Sequence, residues 1–307
     1  MSAMERQYDV GGEVGRGQWG VVYSATRRRD ATRVAIKRVR CAASVIEGVN
    51  FQVLREIKML RGVEHENVIK LYDVLNDSKT TDGGIDILLV FELMATDLEH
   101  VIHAKRPIGD AEAKSYAQML LRGLDFLHSH FVLHRDIKPA NLLIGHSGVL
   151  KLADFGYARA LAESHYAMSY QCCTLWYRPP ELLLGAADYS ARVDSWSAGC
   201  VIAEVSTRLP LFPGDSEIDQ LAKIFDVQGT PSEKNWPGVE ALRKYARFSE
   251  TSGSTLRARL DSASTDLVSL CDSLLKCDPN KRAFAAEALE LPYFSNEPRP
   301  ALRPPAN

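Results

Sequence analysis

The spacing of apolar residues changes once along the chain, near residue 95, and this change limits the available folds more than any other feature. Before it, short runs rich in Val, Ile and Leu alternate with turns and charged clusters, which predicts β-strands. These runs are Val21–Ala25, Arg33–Val39, Val68–Leu75 and Ile85–Phe91. One segment interrupts them: Asn50–Arg61 carries apolar residues three and four positions apart, without Pro or Gly, and is predicted to be a helix.

Beyond Thr96 the apolar residues recur at helical spacing. One stripe consists of Tyr116, Leu120, Leu124 and Leu127. The segment Val193–Val205 is apolar on nearly every side, which is typical of a fully buried helix. We therefore predict an α+β chain, with a small β-rich lobe carrying one helix over residues 1–94 and a larger, mainly helical lobe over residues 95–296. Residues 297–307 contain four prolines and two arginines and are predicted to form a solvated extension.

Composition excludes several classes of protein. Of the 307 residues, 46% are hydrophobic and 25% charged, which is the balance of a chain with a substantial core. No run of about 18 apolar residues is available for a transmembrane helix, and because Met1–Tyr8 is polar, no signal peptide is expected. The net charge of −2 argues against a chain that coats nucleic acid or a membrane. Six cysteines lack paired metal spacing, and the adjacent Cys172 and Cys173 are poor disulfide partners, so we expect a reducing, intracellular environment.

A glycine-rich loop lies between two of the predicted β-runs. Gly15, Gly17 and Gly20 form a Gly-x-Gly-x-x-Gly pattern, and glycines let backbone amides approach an anion because no Cβ blocks them. Alone the pattern is a weak signal. A dinucleotide-binding unit requires a helix after the loop, whereas a predicted strand follows here, so that interpretation fails.

A lysine and a carboxylate are candidates to act with this loop. Lys37 ends the apolar run Val34–Lys37, and although an isolated strand lysine is usually a solvated edge residue, the upstream glycine loop favours a phosphate-binding cation. Glu56, in the middle of the predicted helix, is the candidate partner. Its neighbour Arg55 lies about 100° away around the helix, so the two side chains face different directions. The alternative is that Arg55 and Glu56 form a surface pair of little energetic weight.

A second group of polar residues follows the Tyr116–Leu127 stripe. Asp136, Lys138 and Asn141 share one loop, and Asp154 opens an Asp-Phe-Gly sequence directly after the apolar run Val149–Ala153. A transferring phosphoryl group carries heavy negative charge, which Mg²⁺ held by hard oxygen ligands can neutralise. This chemistry assigns Asp154 and Asn141 to the metal, Asp136 to the hydroxyl proton and Lys138 to the γ-phosphate.

These elements, in this order and spacing, resemble a eukaryotic protein kinase over residues 8–294 or so. The resemblance implies one bilobal protein kinase domain that uses ATP and Mg²⁺, with Lys37 bridging the α- and β-phosphates and pairing with Glu56. It implies nucleotide contacts from Phe91 behind the adenine, the backbone of Glu92 and Met94, Asp97 near the ribose, and Val14, Val22, Ala35 and Leu143 around the base. Lys138, two residues after Asp136, is the serine/threonine-kinase form.

The same resemblance implies supporting rather than chemical roles for several residues. His134 and Arg135 are expected to support the catalytic loop, the stretch His134–Asn141 that contains Asp136. Glu181 is expected to pair with Arg282 and hold the fold. Asp194 is expected to cap the backbone of the catalytic loop.

Within the kinases, the chain is similar to the cyclin-dependent kinase family. The helix region Asn50–Glu56 stands where that family binds its cyclin. The CDK-activating branch, which includes the catalytic subunit associated with general transcription factor H, is the most similar. The matching segments are Glu47–Lys58, Leu89–Leu98, Pro213–Leu221 and Gly229–Pro237.

This branch implies partners and a location. The expected partners are a cyclin, an assembly factor and protein substrates, with no direct nucleic acid or membrane contact. The substrates implied are activation loops of other cyclin-dependent kinases and the C-terminal repeats of RNA polymerase II. A nuclear location, with the cytoplasm as the alternative, follows from the family resemblance alone.

Regulation is expected to centre on Ser169, which aligns with the phosphorylated threonine of the activation loop. Arg55, Arg135 and Arg159 would receive its phosphate through charge-assisted hydrogen bonds. In the alternative, Ser169 stays unmodified and the cyclin or an assembly factor orders the segment. Gln18 and Trp19 replace the Thr-Tyr pair that inhibitory kinases phosphorylate. Inhibition by phosphorylation of the glycine loop is therefore expected to be absent.

Two rival functions remain open from the sequence. The run His103–Pro107 and the Lys-Pro-Ala-Asn sequence ending at Asn141 are closer to the cell-cycle-related kinase, another member of the same family. A kinase fold that acts only as a scaffold is the rival from a different class. Such scaffolds generally lose the equivalents of Lys37, Asp136 or Asp154, and all three are present here.

Overall fold

The computed structural model describes residues 3–17, 20–41, 51–77, 85–160, 174–253 and 255–305. Several residues on which predictions rest lie outside these ranges. They are Gln18, Trp19, Asn50, Ser169, Cys172 and Cys173. The predictions that concern them are therefore carried forward as predictions.

The first lobe is built on a five-stranded sheet. Its strands are β1 (Tyr8–Gly17), β2 (Gly20–Arg27), β3 (Arg33–Cys41), β4 (Leu71–Asp77) and β5 (Ile85–Glu92). Their order is β1-β2-β3-β5-β4, and each neighbouring pair is antiparallel. Two helices accompany the sheet, α1 (Ala3–Gln7) and α2 (Phe51–Leu60). The predicted strands and the predicted helix are thereby confirmed within a few residues.

Alternation along β3 and β5 divides the sheet into two buried faces. Val34 and Ile36 belong to an upper cluster that also holds Tyr8 and Leu88. On the opposite face, Ala35 of β3 and Leu89 of β5 point into the large core shared with the second lobe. Met4 of α1 packs on the upper cluster, so this short helix covers a face that would otherwise meet water.

The second lobe is mainly helical. Its helices are α3 (Leu98–His103), α4 (Asp110–Ser129), α5 (Pro180–Leu183), α6 (Arg192–Thr207), α7 (Glu217–Gln228), α8 (Leu256–Arg259), α9 (Thr265–Leu274), α10 (Ala285–Leu289) and α11 (Pro292–Ser295). Short strands accompany them: β6 (Thr96–Asp97), β7 (Val132–Leu133), β8 (Leu142–Ile144), β9 (Leu150–Leu152) and β10 (Arg159–Ala160). The predicted stripe of α4 is buried, and Val193–Val205 of α6 is buried throughout, as expected.

Among the described residues, the hinge and the segment at Val68 are two of the connections between the lobes. Residues 93–95 connect β5 to β6, and the Ala95 amide donates to the Ile144 carbonyl at 2.9 Å. Val68 was predicted to start a strand, but it forms an isolated parallel bridge with Leu152 of β9, and β4 starts at Leu71. Val68 and Ile69 are buried, so this segment leaves the sheet to pack against the second lobe.

The proline-rich tail, predicted to be a solvated extension, is attached to the second lobe. Most of its described side chains are exposed. Its backbone is nevertheless fixed, because the Ala301 amide donates to the Ala111 carbonyl at 3.0 Å. The backbone of Arg303 lies so close to Gly148 that a Cβ there would meet the Arg303 carbonyl oxygen at 2.6 Å. In the described part of the chain, no helix combines the length and apolar character needed to cross a membrane.

Candidate active site

A cleft of about 910 Å³ lies between the sheet and the helical lobe. The predicted nucleotide contacts that line it are Val14, Gly15, Gly20, Val22, Ala35, Lys37, Phe91, Glu92, Met94, Asp97 and Leu143. The predicted catalytic and metal-binding residues that line it are Glu56, Asp136, Lys138, Asn141 and Asp154. The structure therefore brings together, in one cavity, residues that are spread over more than a hundred positions of the sequence.

The glycines of the loop lie at the facing ends of β1 and β2. Gly15 lies opposite Val22, and Gly17 lies opposite Gly20. At Gly20 the backbone has φ of 151°, and a Cβ would collide with the Arg38 carbonyl oxygen of β3. Sheet packing therefore requires glycine at position 20, independently of any bound phosphate.

Lys37 and Glu56 form the ion pair that couples β3 to α2. The distance from Lys37 Nζ to Glu56 Oε2 is 2.8 Å, and the side chains are 15% and 4% exposed. The alternative of a surface pair is therefore wrong for Glu56. Burial opposes the positive charge of Lys37, but the carboxylates of Glu56 and Asp154 outweigh it and hold the Lys37 pKa above its ordinary value. The Lys37 ammonium group, paired with Glu56, thus faces the cleft.

Asp136 is held by residues of its own loop and by Thr174. The Asn141 Nδ2 donates to the Asp136 carbonyl oxygen at 2.8 Å and to Oδ2 at 2.9 Å. Lys138 Nζ lies 3.0 Å from Asp136 Oδ2. Asp136 Oδ1 accepts from the hydroxyl and the amide of Thr174, each at 3.2 Å. Both carboxylate oxygens of Asp136 are therefore fixed by contacts with neighbouring groups.

Asp154 lies in a strained turn that lines the cleft. Its φ of 61° is in the left-handed region, which non-glycine residues adopt rarely. Its Oδ1 accepts from the Gly156 amide at 3.3 Å, which stabilises the turn. The preceding strand β9 is anchored in the core, with Leu150 and Leu152 fully buried. The turn therefore projects the carboxylate away from a rigid support.

The catalytic loop rests on Asp194, as the family resemblance implied. This buried carboxylate accepts from the amides of His134 and Arg135 at 2.9 and 2.8 Å. Its Oδ2 also lies 2.9 Å from His128 Nε2. Burial raises the Asp194 pKa, but these hydrogen bonds outweigh it and hold the pKa below its ordinary value. Asp194 therefore holds the backbone that leads directly into Asp136.

The end of β5, just before the connecting residues 93–95, is fixed by contacts with other parts of the chain. Phe91 is buried at the back of the cleft, whereas Val14 at its roof is 55% exposed. The Glu92 side chain accepts from the Lys70 amide at 2.8 Å and lies 2.9 Å from Lys151 Nζ of β9. This link between β5 and the second lobe was not predicted, because no local pattern pairs positions 92 and 151.

The arginines predicted to bind a phosphate lie around the Asp154 turn. Arg55 Nη1 donates to the Gly156 carbonyl at 3.4 Å, and Arg135 Nε donates to the Tyr157 carbonyl at 2.7 Å. Arg159 lies in β10, paired with Leu133 of β7. Because Ser169 is outside the described residues, its phosphorylation and its alternative both stay predictions.

Comparison with known proteins identifies the family. The protein kinase domain family matches residues 8–294. The chain belongs to the protein kinase family. It is 41% identical over 298 residues to cyclin-dependent kinase 7 of Xenopus laevis, which covers 96% of this chain and 83% of that protein. It is 42% identical over 294 residues to cyclin-dependent kinase 7 of Dictyostelium discoideum, covering 94% of this chain and 80% of that protein.

A plant relative and a solved structure agree with this assignment. Cyclin-dependent kinase D-1 of Arabidopsis thaliana is 41% identical over 288 residues, 94% of this chain and 71% of that protein. The structure of the CAK complex from Chaetomium thermophilum bound to ATP-gamma-S contains a chain that matches with a TM-score of 0.89 at 37% identity, over 97% of this chain and 94% of that chain. The chain is thus a serine/threonine protein kinase similar to the CDK-activating kinases.

Sequence reasoning missed some residues of this kinase site. Thr174 contacts both Asp136 and Lys138, with Lys138 Nζ donating to its hydroxyl at 3.1 Å. Tyr157 also lines the cleft. The available signal was their position at the two ends of the activation segment, after Asp154 and before Glu181.

The Lys37–Glu56 pair yields a first testable prediction. Glu56→Gln is expected to lower kcat/KM for ATP by about 10- to 100-fold, or about 1.4–2.7 kcal/mol of transition-state stabilisation, because a neutral amide no longer holds Lys37. Steady-state phosphate transfer at varied ATP measures this. The control is Glu64→Gln, which removes the exposed partner of Lys70 and is expected to leave the rate unchanged. Equal rates for Glu56→Gln and wild type would contradict the role of the pair.

Proposed function

We propose that this kinase transfers the γ-phosphate of ATP to protein serine or threonine through Asp136, Lys138, Asn141, Asp154 and the Lys37–Glu56 pair, when bound to Mg²⁺ and a cyclin. The observation that carries the proposal is the shared cleft. Lys37 faces it from the sheet, and Asp136 and Asp154 face it from the helical lobe. Phosphate-binding cations and hydroxyl-activating carboxylates thus meet in one cavity, as phosphoryl transfer requires.

Asp136 is proposed to align the acceptor hydroxyl and receive its proton. Its Oδ1 already accepts a hydrogen bond from the Thr174 hydroxyl at 3.2 Å, so it faces a position from which a hydroxyl donates. Lys138 Nζ, 3.0 Å from Asp136 Oδ2, supplies positive charge beside the same carboxylate. This charge is placed to stabilise a transferring phosphoryl group.

The residues fit Mg²⁺ bound together with ATP. Asn141 uses its Nδ2 on Asp136, which leaves its amide oxygen to face a cation, and Asp154 supplies a carboxylate in the same cleft. Among the described residues no group of three or more His, Cys, Asp or Glu could hold a metal. Mg²⁺ suits such a sparse set, because it is usually bound through one or two carboxylates plus substrate phosphates. When bound, it would neutralise phosphate charge.

The cyclin is proposed to bind the outer side of α2. On this helix Val53 and Glu56 are buried against the lobe, whereas Leu54 is 45% exposed. A cyclin that pressed on this side would hold Glu56 toward Lys37. The similarity to cyclin-dependent kinases and to the CAK complex supports this partner. An assembly factor is proposed by the same resemblance.

The proposed substrates follow from the CDK-activating branch. They are the activation loops of other cyclin-dependent kinases and the Ser-Pro sites of the RNA polymerase II C-terminal repeat. A nuclear location is proposed with them. Identity of about 41% to cyclin-dependent kinase 7 across nearly the whole chain supports the branch.

Cyclin dependence and substrate class can be tested in one assay. Labelled phosphate transfer from ATP to a Tyr-Ser-Pro-Thr-Ser-Pro-Ser repeat peptide is measured with and without a co-expressed cyclin of the activating type. We expect transfer only in the cyclin complex, since α2 must be held for the Lys37–Glu56 pair to act. Leu54→Glu, which places a charge on the exposed side of α2, is expected to abolish cyclin binding and transfer together.

The control is a charge placed on an exposed apolar residue of the other lobe. Ile218 of α7 is 72% exposed, and Ile218→Glu is expected to leave cyclin binding intact. Full transfer without any cyclin would refute the cyclin requirement. Transfer to an activation-loop protein but not to the repeat peptide would refute the second substrate alone.

A further inference from the structure

Arg135 combines strain with near-complete burial next to Asp136. Its φ is 65°, in the left-handed region, and it is 4% exposed. A bulky residue persists in this conformation only when its surroundings fix it. The contacts that fix Arg135 therefore also fix the direction of the adjacent catalytic loop.

Two of these contacts come from the start of α6. Asp194, in the first turn, accepts from the Arg135 amide at 2.8 Å. The hydroxyl of Tyr189, in the loop just before α6, accepts from Arg135 Nη1 at 2.7 Å. The segment from Tyr189 to Asp194 thus binds Arg135 both at its backbone amide and at its guanidinium group. Tyr189 belongs to none of the motifs that led to the kinase assignment.

The guanidinium also reaches the segment that carries Asp154. Arg135 Nε donates to the Tyr157 carbonyl at 2.7 Å, three residues after Asp154. The rings of Tyr157 and Tyr189 both pack on the buried pair Leu182 and Val193. Because the Tyr189 ring is packed in this way, its hydroxyl is a fixed acceptor.

We infer that Tyr189 is a positioning residue for phosphate transfer. Its hydroxyl orients the Arg135 guanidinium, which in turn holds the Tyr157 carbonyl and the turn that presents Asp154. The inference rests on the proposed roles of Asp136 and Asp154. Charge-assisted hydrogen bonds of this kind are stronger than neutral ones, so a single hydroxyl has a measurable effect.

Tyr189→Phe tests this, because it removes the hydroxyl and keeps the ring. In the cyclin complex we expect kcat to fall by about tenfold, with KM for ATP changed less than twofold. The matched control is Tyr116→Phe, since Tyr116 also donates a buried hydrogen bond, to Glu112 at 2.9 Å in α4. That control is expected to leave kcat unchanged.

A double-mutant cycle separates positioning from general stability. If Tyr189 acts through Arg135, then Tyr189→Phe lowers kcat no further in an Arg135→Gln background. Losses that multiply in the double variant would overturn the inference. So would an unchanged kcat in Tyr189→Phe.

A second readout does not depend on phosphate transfer. Hydrogen exchange of the peptide covering residues 154–160 is expected to quicken in Tyr189→Phe and to stay unchanged in Tyr116→Phe. Unchanged exchange in both variants would overturn the positioning role, even if the wild-type protein transfers phosphate. If the wild-type protein transferred no phosphate and exchange still quickened in Tyr189→Phe, the link from Tyr189 to residues 154–160 would be supported and the proposed function refuted.

Discussion

Asp154→Asn is expected to reduce phosphate transfer by at least about 10³-fold in kcat. The substitution removes a negative charge from the cleft beside Lys37, and a metal ligand of this kind accounts for several kcal/mol of transition-state charge stabilisation. The side-chain shape is kept. The Asn oxygen can still accept from the Gly156 amide, as Asp154 Oδ1 does at 3.3 Å, so the turn is expected to stay folded.

Labelled transfer from ATP to the repeat peptide, at saturating Mg²⁺ and cyclin, measures this loss. The melting temperature should stay within a few degrees of wild type. The control is Asp226→Asn, which removes a carboxylate of α7 that is 58% exposed and should not change the rate. A variant at position 154 that kept more than a tenth of the wild-type rate would contradict its assignment as a metal ligand.

The sequence predicted strands β2 to β5 and helices α2, α4 and α6, where apolar residues recur at a regular period. β3 alternates between the upper and lower faces of its sheet, with Val34 and Ile36 on one side. The helix α6 is apolar on nearly every side, and Val193–Val205 is buried throughout. The short helix α1 was not predicted, because its 5 residues are too few to show a period. The docking of the tail was missed for a related reason, since backbone contacts such as that of Ala301 leave no side-chain pattern.

The candidate site divides in the same way. Asp136, Asn141 and Asp154 were found because the chemistry requires particular residue types at short, recognisable spacings. The contact between Tyr189 and Arg135 joins positions 54 apart in the sequence. Tyr189 has no distinctive neighbours, so only the fold reveals that its hydroxyl meets the catalytic loop.

The pair Glu181 and Arg282 is expected to have the largest effect on stability. Arg282 Nη1 and Nη2 donate to Glu181 Oε1 and Oε2 at 2.7 and 2.8 Å, and the side chains are 0% and 3% exposed. Glu181→Gln would leave the buried guanidinium without a compensating charge. Breaking a buried pair in this way costs about 3–5 kcal/mol in free energy of unfolding, or roughly 10 °C in melting temperature.

Urea unfolding followed by tryptophan fluorescence measures this change, and Asp272→Asn is the matched control. Asp272 pairs with Lys276 on the surface of α9, with the carboxylate 49% exposed, so its loss is expected to cost less than about 1 kcal/mol. Equal destabilisation by the two substitutions would contradict the buried character of the Glu181 pair. Glu181 is not among the residues that line the cleft. The folded fraction of Glu181→Gln should therefore keep kcat within about twofold of wild type. Such a result would separate this stabilising pair from the catalytic groups.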